Sequence, residues 1–191
     1  LKQGYENRYF DQESIALWDE QLVRYGMPIF EARKQFLETF TPYFMEYFNL
    51  IADRLEEMPE ILHQSTLYEG SFSEQLQQAH QRDAQLLYTS VGPHKDDFDF
   101  NISEYPIKKF GSQGQQKTYL LALKLAQFEY ISNQTGIKPI LLLDDIFDKL
   151  DLARVKQLVC LVGSTRFGQV FITDTQQGRV ESIFEENPDI D

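Results

Sequence analysis

At 191 residues, 42% hydrophobic and 14% aromatic, the chain has apolar surface enough for one good core or two modest ones. Its net charge of −12 repels a phosphate backbone, so any contact with nucleic acid needs a local patch, another segment or a partner. No run approaches the roughly 18 to 20 apolar residues of a membrane span, and no basic stretch followed by an apolar one opens the chain, so nothing points to export or to a membrane.

The single cysteine, Cys160, lies in the apolar run LVCLV, where it reads as a small buried hydrophobe in a reducing, cytoplasmic setting. The sequence opens without an initiator methionine and stops at ENPDID, and it reads as a piece of something longer.

The first half is helical by periodicity. Ile15, Trp18, Leu22, Tyr25, Ile29, Phe36 and Phe40 recur at steps of three, four and seven, which places them on one face, expected to be core or a packing seam. Gly26 and Pro28 predict a kink. Thr41-Pro42 reads as an N-cap followed by an N1 proline, so a second helix is expected, carrying Phe44, Phe48, Ile51 and Leu55. After Pro59, EILHQSTLYEG reads as a short strand ending at a glycine. Ser73 then caps a helix that reaches about Tyr88 with Leu76, Ala79, Leu86 and Leu87 on one face. His63 and His80 have no companions at metal spacing and read as surface or packing residues.

From Val91 onward the pattern is α/β. DFDFNI, SEYP and IKKF predict strand, turn and strand, a hairpin over 97–110. A helix follows with Tyr119, Leu120, Leu123, Leu125, Ala126, Phe128 and Ile131 on a wide apolar arc. ILLL at 140–143 predicts a strand in a sheet covered on both faces, 152–162 an amphipathic helix, and QVFIT at 169–173 another buried strand. Strand, helix and strand in that order predict right-handed crossovers and a mainly parallel sheet.

Two stretches carry candidate chemistry. In ILLLDDIFDKLD, Asp144 and Asp145 stand where a buried strand leaves the sheet, followed by Asp148 and Asp151. Adjacent carboxylates there can hold Mg²⁺ and orient a water, or can serve as helix caps, Asp151 for the helix beginning at Leu152. In FGSQGQQK, residues 110–117, a glycine-flanked serine opens a helix. Free N–H groups, a hydroxyl and the positive end of the dipole suit a phosphate, with glutamines as neutral donors, while a polar loop capped by Ser112 is the other reading.

SQGQQK, a long helix, LLLDD and DKLD in this order resemble the second half of an ABC-type ATPase head. In that likeness Ser112, Gln113, Gly114, Gln115 and Gln116 match the signature motif, Asp144 the Walker B metal carboxylate and Asp145 the catalytic carboxylate. Asp148, Lys149, Leu150 and Asp151 match the D-loop, and Thr173 or Asp174 takes the place of the switch histidine. VGPHKDDFDF at 91–100, the SQGQQK form of the signature and DD in place of the DEP of transporters narrow the resemblance to the RecF family of bacterial DNA replication and repair proteins. LWDEQL and the helices after it are similar to the arm of that family.

The resemblance implies an α/β fold: part of a P-loop ATPase head over 91–191, with an inserted, mainly helical arm over 1–90. It also implies ATP and Mg²⁺ in the intact protein, with neither expected on this piece alone, because no GxxxxGK[ST] loop is found. GSTRFGQV at 163–170 has the glycine spacing but puts Gln169 and Val170 where Lys and Ser/Thr belong. Asp145 in place of glutamate implies slow turnover. The implied partners are gapped DNA, RecR and RecO, with RecA loading as the outcome, and a second copy joined when Ser112 and Gly114 meet the γ-phosphate of its nucleotide. Two other readings differ in class. A transport-type ABC subunit would need a DEP box and a switch histidine; a non-catalytic interaction module would use its carboxylates only as caps.

Overall fold

A computed structural model describes residues 12–52, 58–144 and 150–173, together with Gly178. The elements in chain order are α1 (Gln12–Ile51), β1 (Pro59–Gln64), α2 (Phe72–Leu86), β2 (Asp97–Ile102), β3 (Tyr105–Pro106), α3 (Ile107–Phe110), α4 (Gln113–Thr135), β4 (Leu141–Leu143), α5 (Leu152–Val162) and β5 (Val170–Ile172). The chain divides into two compact units, Leu1–Glu38 with Leu62–Asp99, and Thr39–Ile61 with Phe100–Asp191.

The two expected N-terminal helices are one. α1 runs 40 residues through Gly26, Pro28 and Pro42 without an end. Both prolines lie on its exposed side, where a freed carbonyl can be hydrated. Thr41-Pro42 has the chemistry of a helix start, yet Phe40 and Phe44 on either side are buried, and their packing holds the backbone helical.

In the first unit, Phe30, Leu67, Phe72, Leu76, Ala79 and Val91 form the core, with Val23 and Met27 packed against it. Gly26 belongs to this packing, since a Cβ there would stand 2.8 Å from the ring of Phe72. The seam expected from the periodicity lies elsewhere: Trp18 is 68% exposed, and Leu22, Tyr25, Ile29 and Phe36 are also exposed. α2 starts after Ser71 and not Ser73, and it ends on Leu87 in the left-handed conformation. His63 is buried. Its Nδ1 lies 3.1 Å from the Tyr68 hydroxyl and its Nε2 3.0 Å from Asp96 Oδ2, with the rings of Phe30 and Phe98 beside it. Arg33 donates to the same Asp96 oxygen at 2.8 Å and to the carbonyl of Pro93. His80 bonds Asp19 at 2.6 Å.

In the second unit, Phe44, Tyr47, Phe48 and Ile51 are fully buried, with Tyr119 of α4 4.7 Å from Phe44. Phe128 packs on Phe167 at 4.8 Å. The Tyr119 hydroxyl donates to the carbonyl of Glu60 at 2.7 Å, and that of Tyr47 to Glu129. Burial raises both phenols above their ordinary range, so both stay neutral donors. Leu120 and Ile131, expected on the apolar arc, face outward on α4.

β1, β2 and β3 form one sheet in that order. β2 and β3 pair antiparallel through Asn101↔Pro106 and Ile102↔Tyr105, turning on Ser103 and Glu104, both at positive φ. The return strand is only Tyr105–Pro106. IKKF coils instead into α3, because Pro106 has no N–H to extend the ladder and Ile107 turns inward. β4 and β5 are the parallel pair that the motif order requires, in register from Leu141↔Val170 to Leu143↔Ile172. Among the described residues this pair is covered on one face only: Leu141 and Leu143 are buried, while Leu142 and Phe171 are exposed. Cys160 is likewise exposed, on the outer face of α5 and not in the core. Of the described residues, no helix is long and apolar enough to cross a membrane.

Candidate nucleotide-contact site

The start of α4 is built as a complete capping box. Ser112 Oγ accepts from the N–H of Gln115 at 3.2 Å, and Gln115 Oε1 accepts from the N–H of Ser112 at 2.7 Å. Gln116 reaches back to donate to the carbonyl of Gly111 at 2.9 Å. Gly111 answers a steric demand, since a Cβ there would stand 2.7 Å from the carbonyl oxygen of Ile107. Two glutamines and one glycine of FGSQGQQK are thus used in fastening α3 to α4. Ser112 and Gln113 are exposed at the N-terminus of a 23-residue helix, and Gly114 is half-buried one residue further on. This fastening holds the first turn of α4, with its positive dipole end, in a fixed position.

The charge around this turn is unlike that of the chain. Residues 105–117, YPIKKFGSQGQQK, contain three lysines and no acidic residue in a protein of net charge −12. Lys109 Nζ lies 5.2 Å over the ring of Phe110, which packs edge-on against Tyr105 at 5.6 Å. Charge counted over whole halves of the chain hides this island; a window of about a dozen residues exposes it.

The second group stands at the carboxyl edge of the parallel pair. Asp144 follows β4 and Thr173 follows β5, and the ladder continues one step past the end of β5 as Thr173 N–H donates to Leu143 O at 3.0 Å. This step brings the two side chains together, with Thr173 Oγ1 donating to Asp144 Oδ1 at 2.5 Å. An exposed carboxylate steadied through one oxygen by a hydroxyl keeps the other oxygen available. Mg²⁺ commonly takes one or two carboxylates, with water and phosphate oxygens completing its shell. The pair fits such an ion. No cluster of three His, Cys, Asp or Glu suited to a metal occurs among the described residues.

Asp151 is the N-cap of α5. Its Oδ1 accepts from the N–H of Arg154 at 2.9 Å, and its Oδ2 lies 3.5 Å from Arg154 Nε. Leu150 beside it is half-buried. Asp145, Asp148, Lys149 and Asp174 lie outside the described residues. The geometry therefore joins Asp144 with Thr173, and Ser112 with Gln115. It assigns Asp151 a local capping bond that the sequence had allowed as one of two readings.

Over 177 residues the chain is 50% identical to the DNA replication and repair protein RecF of Flavobacterium johnsoniae, covering 93% of this chain and 49% of that protein. It is 41% identical over 175 residues to the protein of that name from Phocaeicola vulgatus, with 91% and 47% covered. Among solved structures, the recombination mediator protein RecF with ATP in the RecFOR pathway superposes with a TM-score of 0.72 at 28% identity, over 88% of this chain and 47% of that one. The form with ATPrS gives a TM-score of 0.70 over the same shares. No family model matches the chain. The chain spans about half the length of the curated relatives it matches.

Proposed function

From a chain homologous to RecF proteins over 93% of its length, we propose the following function: this is the signature and Walker B portion of an ATP-dependent DNA repair protein. The observation that carries the reading is the Asp144–Thr173 pair at the carboxyl edge of β4 and β5, the place where parallel sheets present their functional side chains. In the longer protein Asp144 holds the Mg²⁺ of a bound ATP, Asp145 orients the attacking water, and Thr173 keeps Asp144 in position. Asp148, Leu150 and Asp151 belong to the D-loop, and Thr173 or Asp174 stands at the switch position. Ser112, Gln113, Gly114 and Gln115 approach the γ-phosphate of a nucleotide held by a second copy, so that ATP joins the two. The assembly works at gapped DNA with RecR and RecO, and RecA loading follows.

The test uses the longer protein, with oligomeric mass followed by light scattering with and without ATP and Mg²⁺, and nucleotide binding measured alongside. Ser112→Arg fills the space a γ-phosphate needs. The expected result is loss of the ATP-dependent rise in mass with ATP still bound. Asp145→Asn should slow hydrolysis while sparing binding, and Asp144→Asn should weaken Mg²⁺-dependent binding as well. A Ser112→Arg protein that still pairs normally on ATP would leave the capping box as the whole account of FGSQGQQK, and the chain as an interaction module.

A further inference from the structure

Acids are unevenly spread along the chain. Between Glu104, in the β2–β3 turn, and Glu129 on α4 lie 24 residues that carry Lys108, Lys109, Lys117 and Lys124 and no acid, in a chain with 30 acidic residues. Glu129 is itself engaged by the Tyr47 hydroxyl. Solvated faces ordinarily intersperse both signs, so an island of one sign in a protein of net charge −12 is a local surface suited to an anion.

The island is one continuous surface. On α4, Gln113, Gln116, Leu120, Lys124 and Gln127 follow steps of three and four, and all are exposed. Gln116 of that stripe donates to the carbonyls of Gly111 and Lys108, at 2.9 and 3.5 Å, so the stripe begins beside α3, where Lys108 and Lys109 are exposed. At the same corner Tyr105, held by the tight turn on Ser103 and Glu104, is 61% exposed, and Phe110 is 59% exposed. Their rings meet edge-on with centroids 5.6 Å apart, and Lys109 Nζ lies 5.2 Å from the Phe110 centroid. Edge-on contact leaves ring faces open to a planar group.

We infer that this corner holds the unpaired part of a gapped DNA strand, with a base stacked on Tyr105, the adjoining phosphates on Lys108 and Lys109, and the strand running on along α4 toward Lys124. The inference rests on the reading of the chain as part of a DNA repair protein and adds to it the place and manner of contact. Aromatic faces and lysines together suit a single strand of any sequence, since every base has a flat face and every nucleotide a phosphate. From Gln113 to Lys124 the stripe runs 11 residues, ~17 Å at 1.5 Å per residue. That is the axial length of about five nucleotides of a duplex strand, more than a single nucleotide at Ser112 can cover. A paired base is closed to Tyr105 because it stays within its own stack, so the ring selects the unpaired part.

The experiment uses the longer protein with ATP and Mg²⁺. It follows the fluorescence anisotropy of a labelled DNA duplex containing a single-stranded gap, and of the same duplex with the gap filled, over a series of salt concentrations. Tyr105→Ala should weaken binding to the gapped DNA about five-fold or more and leave the filled duplex unchanged, and Tyr105→Trp should retain wild-type binding. Lys108→Gln combined with Lys109→Gln should weaken binding to the gapped DNA and lower the slope of log affinity against log salt by about 1.5. All these variants should keep the wild type's nucleotide binding and its oligomeric mass with ATP. Equal effects of Tyr105→Ala on the two DNAs, or an unaltered salt slope in the lysine variant, would overturn the inference and leave the repair reading intact. So would a lysine variant that binds DNA normally but changes its mass with ATP, which would assign the island to a second copy. A wild type that binds neither DNA would overturn the repair reading, and the inference with it.

Discussion

The two halves of α1 carry the same kinds of side chain at similar spacing and meet opposite surroundings. Trp18, Leu22, Tyr25 and Ile29 are exposed, whereas Phe44, Tyr47, Phe48 and Ile51 are sealed against residues that include Tyr119 of α4. The difference does not lie in the helix, which runs through Pro28 and Pro42 without an end. It lies in what each half finds opposite. Distant segments of the chain supply partners for the second half, while the first half is served on one face only. Period identifies the side of a helix that seeks burial; it does not identify the neighbour.

The sharpest way to break this comparison is truncation. Phe44→Ala and Phe48→Ala, at fully buried positions, should each destabilise the 191-residue chain by ~3–5 kcal/mol in urea unfolding. Trp18→Ala, at an exposed one, should stay within ~0.5 kcal/mol. Equal losses would show that the seam is covered within this chain.

A smaller effect separates the buried polar network from the exposed row. Asp96 is the shared acceptor of Arg33 and His63, and its side chain is almost wholly buried. Asp96→Ala should therefore cost ~1–3 kcal/mol by leaving two donors without their partner. Glu31→Ala, an exposed acid of the same unit, should be near neutral by the same unfolding measurement. A neutral Asp96→Ala would mean that water replaces the carboxylate without loss.

The smallest effects belong to the caps. Ser112→Ala and Asp151→Ala each remove one N-cap acceptor and should lower stability by ~1 kcal/mol in the same measurement. In the longer protein the loss from Ser112→Ala should be greater with ATP and Mg²⁺ than without, because the proposed role adds a ligand contact to the cap. The same loss in both states would reduce Ser112 to a cap.

How much of the candidate site could be read beforehand follows from the range of the interactions that build it. The capping reading of Ser112 and that of Asp151 needed only residues three positions away, and both bonds form. The parallel strands within ILLL and QVFIT were legible because each is a short apolar run bounded by turn residues. The hydrogen bond between Thr173 and Asp144 was not legible. It joins residues 29 apart and depends on the register of β4 with β5, which no local pattern states. Gly111, one of the glycines flanking Ser112, is required by the carbonyl of Ile107, a contact that appears only once IKKF coils.

The sequence by itself determined the class of each long element, the polar character of the α4 start and the position of Asp144 at the end of a strand. All of these depend on side-chain period and on neighbours within one or two turns. Only the tertiary structure decided that Pro42 continues a helix, that His63 is buried between Tyr68 and Asp96, and that Cys160 and Leu142 face outward. Each of these is settled by which distant surface arrives at a given face. A cap or a helical turn is favoured by interactions its own residues carry, whereas burial is a property of a residue together with its neighbours in space.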